Sequence, residues 1–220
     1  AYNIEFRYSR LDSDGFIDRS KSKLRSLLVS MAKIKKNYSI RCNVIHGTEV
    51  TGQAWFGLPI QYFDIDSLYT YNSAGQEKSD SPYENENDDY KQTHVQLFYN
   101  HILNKKSNFS LSGQYTYGNG YYENYKANKT LREFGLIHPD TSSADIIRLK
   151  WLTNHFKFMN AGVETSWNKY FSSQVSLSYS HYQGYHFGQV VWANLTQVKG
   201  LGSNYYDNTG KKDELSWSGK

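Results

Sequence analysis

Cysteine is nearly absent: Cys42 stands alone in 220 residues. One thiol excludes an internal disulfide and any cysteine-rich metal site. Set in a strand pattern, Cys42 reads as an unreactive buried or lipid-facing group. Long apolar runs are also missing. The longest is Val190 to Ala193, whereas a helix that crosses a membrane needs roughly 20 apolar residues, so helical spans are excluded. A mean hydropathy of -0.73 fits that exclusion. It leaves a transmembrane β-barrel open, because half of each barrel strand is polar. Blocks of like charge are lacking too. The net charge is +4 and the basic residues form no long run, so nucleic-acid binding has no support.

What the chain does have is alternation. In Asn108 to Tyr117, Phe109, Leu111, Tyr115 and Tyr117 fall on one side, and Asn108, Ser110, Ser112, Gln114 and Thr116 on the other. A period of two is the mark of a strand with one apolar and one wet face. Tyr2, Ile4, Phe6 and Tyr8 alternate in the same way from the first residues. The pattern predicts seven strands, at about 2–10, 21–33, 38–46, 92–103, 108–117, 149–167 and 173–183. The register of the second is ambiguous around Leu27-Leu28-Val29. Aromatic residues make up 16%, and 20 residues are tyrosine. That excess suits rings lying between lipid and water, and equally a sugar-binding soluble β protein.

The connections alternate in length. Tight turns are expected at Lys35-Lys36-Asn37, Asn104-Lys105-Lys106 and Asn168 to Phe171. Long excursions are expected from Gly47 to Lys91, from Gly118 to about Arg148, and from Gly184 onward. Compact domains rarely carry unstructured loops beyond roughly 12–15 residues. Short turns at one end and long loops at the other fit an outer-membrane barrel. An odd number of strands, a start in mid-strand and the lack of an export signal make the chain read as part of a larger barrel.

Several segments are candidates for binding. Gly118-Asn119-Gly120 with Tyr121, Tyr122 and Glu123 reads as a bend and aromatic girdle at a barrel rim, or as the lining of a ligand vestibule. It is not a nucleotide fingerprint, since no crossover helix follows. Trp55 and Phe56, in the first long excursion, are placed either to stack on a ligand or to hold the loop against its neighbours. The acidic run Asp80, Glu84, Glu86, Asp88 and Asp89 fits no EF-hand spacing and reads as a solvated loop. Of the seven histidines, His138, His155 and His186 fall in or near excursions, and at His138 or His186 one exposed imidazole could meet a ligand. No residue set has the spacing of a nucleophilic, acid–base or metal site. No catalytic residue, resident metal or cofactor is expected.

Five segments resemble the TonB-dependent outer-membrane receptors, particularly those of the Bacteroidota type. They are Ser9-Arg10 with Ser13-Asp14-Gly15-Phe16-Ile17-Asp18-Arg19-Ser20; Gly47-Thr48-Glu49 through Ala54-Trp55-Phe56-Gly57; Asp88-Asp89-Tyr90-Lys91-Gln92; Gly118 through Tyr125; and Trp151-Leu152-Thr153-Asn154 with Tyr182-Gln183-Gly184-Tyr185-His186-Phe187-Gly188. Their order and spacing cover nearly the whole chain. Two positions depart from the family's pattern: Asp89 stands where an asparagine is expected, and His155-Phe156-Lys157-Phe158 lacks a glycine.

The resemblance implies an all-β, antiparallel, up-and-down segment, about seven strands of a barrel of about 22. The plug domain and the energy-coupling motif would lie outside residues 1–220. It further implies active uptake of a bulky, scarce nutrient, typically a ferric siderophore or other iron complex. The implied partners are the TonB energy-transducing complex, met through the missing N-terminal region, the nutrient itself and outer-membrane lipid. Trp55, Phe56, Tyr121, Tyr122, Glu123 and His186 are the residues expected to meet the ligand. Two other readings are a passive porin-like barrel and a soluble, carbohydrate-binding β-sandwich. They separate by solubility: an open sheet leaves edges and a lipid face uncovered. Expressed alone, residues 1–220 should therefore not give a monodisperse monomer in detergent-free buffer. A cooperatively melting, water-soluble monomer in a thermal denaturation experiment would favour the sandwich.

Overall fold

Alternation along each segment becomes a single antiparallel sheet in the computed structural model, which describes all of residues 1–220. The strands are β1 (Tyr2–Ser13), β2 (Ser22–Ile34), β3 (Tyr38–Gly52), β4 (Asn87–Ile102), β5 (Ser107–Thr130), β6 (Ser143–Ser166), β7 (Ser172–Ala193) and β8 (Asn204–Gly219). Each pairs with the next in sequence, so the sheet is an up-and-down meander. Connections 35–37, 103–106 and 167–171 lie at one end. Connections 14–21, 53–86, 131–142 and 194–203 lie at the other.

Register decides which residues share a face, because directly paired residues point the same way. One row runs Ile4, Met31, Cys42, Leu97, Gly113, Met159, Tyr179, Leu215. Its neighbours two residues away are Phe6, Val29, Val44, Val95 and Tyr115. This face is apolar and uncovered: Ile4 is 76% exposed, Phe6 68% and Trp217 80%. Two aromatic bands bound it. Tyr38, Tyr99 and Phe109 lie near the short turns, with ring centroids 6.3 and 6.4 Å apart. Tyr115, Tyr117 and His155 lie toward the long loops. From Phe109 to Tyr117 the strand rises roughly 27 Å, which a tilt of about 35–45° shortens to about 19–22 Å, so the rings lie just inside the edges of an apolar band about 25 Å tall. Lys157, His181 and Asp213 interrupt this face in one row. There Asp213 accepts a hydrogen bond from the Tyr179 hydroxyl at 2.6 Å and lies 2.8 Å from His181 Nδ1.

The opposite face is polar. Asn43 Nδ2 donates to Gln96 Oε1 at 3.2 Å, Gln96 Nε2 to Gln114 Oε1 at 3.1 Å, and Gln114 Nε2 to Thr116 Oγ1 at 3.0 Å. These amides hydrogen-bond to one another across three strands. The ambiguity in β2 resolves: Leu27 and Val29 join the apolar face, and Leu28 pairs with Arg7 and Ile45 on the polar one.

Only 21 of 220 residues are buried, and the one dry cluster lies among the loops. Leu131, Phe134, Leu136, Ala144, Ile146, Val190 and Ala193 pack together where loop 131–142 meets the tops of β6 and β7. Ile137 and Lys199 pair to tie loop 131–142 to loop 194–203. A β-sandwich needs two sheets with a shared core, and here there is one sheet.

The strands differ from the sequence reading in two ways. There are eight strands, because Asn204–Gly219 pairs with β7 from Val175 to Gln189. The sequence reading places this stretch in the excursion from Gly184 onward, because only Leu215 and Trp217 carry apolar alternation on its exposed face. In addition, β5, β6 and β7 run well past the expected boundaries. Gly118-Asn119-Gly120 and Gly184 resemble turn residues, yet all sit inside the ladders. Extension past the apolar band leaves both faces in water, so the period-two signal fades while the backbone pairing continues.

Two substitutions on adjacent residues test the two faces. Leu111 pairs with Tyr99 and Ala161, whereas Ser112 pairs with Phe98 and Asn160. Leu111→Arg should destabilise the intact barrel by about 2–4 kcal/mol near the membrane midplane, and Ser112→Arg should be mild. Equal shifts of the two urea-unfolding midpoints in lipid would contradict the assignment.

Candidate functional site

Above the polar face, at the long-loop end, two ladder rows bring distant residues together. One row is Tyr90, Gly120, Leu152, His186. The next is Asp88, Tyr122, Lys150, Gly188, Tyr206. Between them lies a cleft of about 410 Å³, lined chiefly by Asp88, Tyr90, Tyr122, Lys150, His186 and Tyr206. The Lys150 ammonium stands 5.5 Å from the centre of the Tyr122 ring, within cation–π range. Trp55 meets the other side of Tyr122 edge-on at 5.4 Å. The result is an aromatic wall with one fixed cation.

The glycines beneath are required by close approach. A Cβ on Gly120 would lie 2.2 Å from the Asp89 carbonyl oxygen and 2.7 Å from the Tyr90 Cα. A Cβ on Gly118 would meet only the far end of the Tyr90 side chain. Tyr90 thus folds down over two residues that offer no side chain, which gives the cleft its floor.

A buried polar network seats the long loop beside the cleft. Gln53 is almost fully buried. Its Nε2 donates to the carbonyls of Asn87 and Glu123 at 3.1 and 2.9 Å, and its Oε1 accepts from Asn124 Nδ2 at 2.8 Å. Asn72 Nδ2 donates to the carbonyls of Asp18 and Gln53, both at 2.8 Å. Arg19, held at φ +57°, donates through Nη2 to the carbonyls of Asn72 and Ala74 at 2.6 and 3.0 Å. Glu86 accepts from the Tyr125 N–H at 3.1 Å, and burial raises its carboxyl above the usual range. These contacts fix loop 53–86 at both ends and at Asn72–Ala74 in its middle. Between Gln53 and Asn72, Trp55, Phe56, Ile60, Phe63 and Tyr69 remain exposed.

The charge in the cleft is mixed. Burial lifts the Asp88 carboxyl above its ordinary value, and neighbouring Asp89 adds to the effect. Glu49, paired to Tyr90 on the same face, is raised first by burial and then by Asp88. Both acids therefore lose their charge at a higher pH than a solvated carboxylate would.

Trp55, Tyr122 and His186, three of the residues singled out from sequence, converge here. Phe56 is exposed beside Trp55. Tyr121 borders the cleft, but alternation turns its ring to the other face of β5, where it packs against Trp151 at 4.7 Å. Glu123 is taken up by the loop: its carboxylate accepts the Tyr83 hydroxyl proton in a hydrogen bond. That contact and burial together push the Tyr83 phenol well up. The sequence reading missed Tyr90, Lys150 and Tyr206 as cleft residues. Tyr90 sat in a recognised segment, but Lys150 and Tyr206 had no local signal. Their place depends on pairing across the long loops. A second concavity of about 430 Å³ lies at the short-turn end of the polar face, far from these residues.

No family model matches the chain, and no curated protein matches it in sequence. Solved structures do match in fold. The ferric-catecholate import receptor Fiu of Escherichia coli K12 superposes in its closed form with a TM-score of 0.64 at 10% identity, over 99% of this chain and 34% of that one. Its open form gives 0.61 at 12% identity, over 99% and 37%. BauA, the ferric preacinetobactin receptor of Acinetobacter baumannii, gives 0.57 at 8% identity, over 95% and 30%. The chain thus spans about a third of the length of these structures. Its fold is that of the antiparallel, up-and-down barrel portion of TonB-dependent receptors, as the sequence led one to expect.

The floor of the cleft offers a local test. Gly120→Ala forces a Cβ against backbone and should cost about 1–3 kcal/mol, the usual range for overpacking. Gly118→Ala should cost less, because the Tyr90 side chain can swing aside. Parallel unfolding midpoints of the two variants would check the difference.

Proposed function

We propose that this chain forms part of the barrel wall of an outer-membrane, TonB-dependent receptor that actively imports a bulky, scarce nutrient, a ferric siderophore or another iron complex. In this reading residues 1–220 belong to the barrel domain. The plug, and the segment that engages the TonB complex, belong to other parts of the polypeptide. The apolar face meets outer-membrane lipid and the polar face lines the lumen. The five sequence segments support placement in the Bacteroidota type.

One observation carries the functional reading: the aromatic and cationic cleft on the lumen face, beneath a long loop pinned at Gln53, Asn72 and Glu86 that presents exposed rings between the first two anchors. Tyr90, Tyr122, Tyr206 and Trp55 offer flat apolar surface for a ligand's rings. Lys150 supplies a positive charge for its anionic groups, and His186 a ring nitrogen able to donate or accept a hydrogen bond. Phe56 adds an exposed ring at the cleft's approach. Tyr121 and Glu123 act in this reading through the wall and the loop that hold Tyr122 in place. The wall binds and admits the ligand without covalent chemistry, and energised movement of the plug completes transport. The likeness to iron-complex importers supports this substrate class.

Replacing residues 55–69 with a short Gly-Ser linker keeps the Gln53, Asn72 and Glu86 anchors and removes the exposed rings of Trp55, Phe56, Phe63 and Tyr69. The intact receptor should still assemble but lose ligand binding and uptake, measured with iron complexes on whole cells. External protease should cut this segment on intact cells. Cutting only after the outer membrane is opened would reverse the orientation. Lys150→Glu should weaken binding of an anionic complex about tenfold or more. Because Asp88 sheds its charge early as pH falls, such binding should strengthen under mild acid, and Asp88→Asn should flatten that dependence. Unchanged affinity in both the loop variant and Lys150→Glu would remove the cleft from the binding site.

A further inference from the structure

The short-turn end of the sheet carries a feature that ligand uptake does not use. Its three connections, 35–37, 103–106 and 167–171, hold Lys35, Lys36, Lys105, Lys106 and Lys169, and none contains an acidic residue. All five lysines are exposed and none takes part in a salt bridge. The longest connection at the opposite end has the reverse balance. Loop 53–86 contains Asp64, Asp66, Glu77, Asp80, Glu84 and Glu86 against the single cation Lys78.

The position of these lysines relative to the apolar face narrows their partner. The aromatic band formed by Tyr38, Tyr99 and Phe109 lies immediately beside the turns. Lys33 stands 5.3 Å from the Tyr2 ring centre and Lys169 4.6 Å from that of Tyr170. Trp167, Tyr170 and Phe171 are exposed in the third turn. Such rings settle at the boundary between hydrocarbon and headgroups, and lysines next to them reach outward to the charged layer. Lys106 Nζ also donates to the Trp167 carbonyl at 3.3 Å, but no carboxylate neutralises any of the five, and a row of such ammonium groups held at that depth matches a row of phosphodiesters.

We propose that this rim binds the anionic phospholipid headgroups of the inner leaflet, so that the short-turn end is an electrostatic anchor selective for acidic lipid. The inference rests on the membrane-barrel reading above, but not on any transported ligand. Lys35 and Lys36 also border the concavity at the lumen's short-turn mouth. An acidic protein segment is thus the rival occupant.

The test uses the intact receptor, reconstituted in vesicles of equimolar phosphatidylcholine and phosphatidylglycerol and then gently extracted. The lipid that co-purifies is quantified. Native receptor should retain phosphatidylglycerol over phosphatidylcholine, with a preference that falls as salt rises. A lysine near an anionic surface contributes about fivefold, so changing the five to alanine should cut the preference at least about tenfold. Changing the same five to arginine should preserve it. Heat-modifiable migration on gels confirms that each variant is folded. A tight lipid ring without preference, or a preference that survives the alanine changes, would overturn the proposal while leaving the barrel intact. Retention of neither lipid would overturn the membrane reading itself. Displacement of the lipid by equivalent inorganic phosphate would show a free-phosphate site, and displacement by poly-glutamate a protein-docking surface. Either would also overturn it.

Discussion

Backbone hydrogen bonding between neighbouring strands is the constraint on which everything else in this molecule depends. Of 143 backbone–backbone hydrogen bonds, 111 lie within the regular elements, and almost all of those are rungs of the sheet. In a hydrocarbon environment each unmade rung would cost several kcal/mol. The strands are consequently long and continuous, and the side chains are free to arrange themselves around the ladder. The usual burial logic is inverted as a result. Large residues such as Phe6, Leu177 and Trp217 point outward, while asparagine and glutamine side chains hydrogen-bond to one another across the inner face. A sheet so built is stable only where something apolar covers its outside.

The same ladder builds the cleft. Beyond the apolar band, β5 to β7 continue as a ribbon wetted on both sides. Precise pairing there sets Tyr90 over Gly118 and Gly120 and places Lys150 against Tyr122. The loop does not drape loosely across this ribbon. Gln53, Asn72 and Arg19 tie it to β4, β5 and the first turn through buried polar contacts, each of which would be costly to leave unmade. Pinned at Gln53, at Asn72–Ala74 and at Glu86, with exposed rings between the first two anchors, the loop combines rigidity with exposure. They arise from one network rather than from loop length.

The two ends of the sheet differ in charge as well as in loop length. Acidic residues crowd loop 53–86, and lysines without carboxylate partners sit in the short turns beside an aromatic band. In a membrane the two ends face different headgroups and different aqueous compartments. A chain that crosses many times needs no charge asymmetry to fold. The asymmetry is therefore better explained by what each end touches.

Much of this was legible in the residues themselves. Period-two alternation in Tyr2–Tyr8 and Asn108–Tyr117, tight lysine turns and long intervening loops specified the class of sheet, the order of its strands and the side on which each loop lies. Strand direction alone forces that parity. Trp55, Tyr122 and His186 stood out as aromatic or ionisable residues near expected loops. Three things could not be read locally. The eighth strand carries too few apolar residues to announce itself, and owes its place to the free edge of β7. The upper halves of β5, β6 and β7 have water on both faces, so nothing selects for alternation there. The partnership of Asp88, Tyr122, Lys150 and Tyr206 depends on register carried across long loops. A shift of one residue would send each side chain to the other face, and only the assembled ladder, with its glycine contacts and bulges, decides between the two.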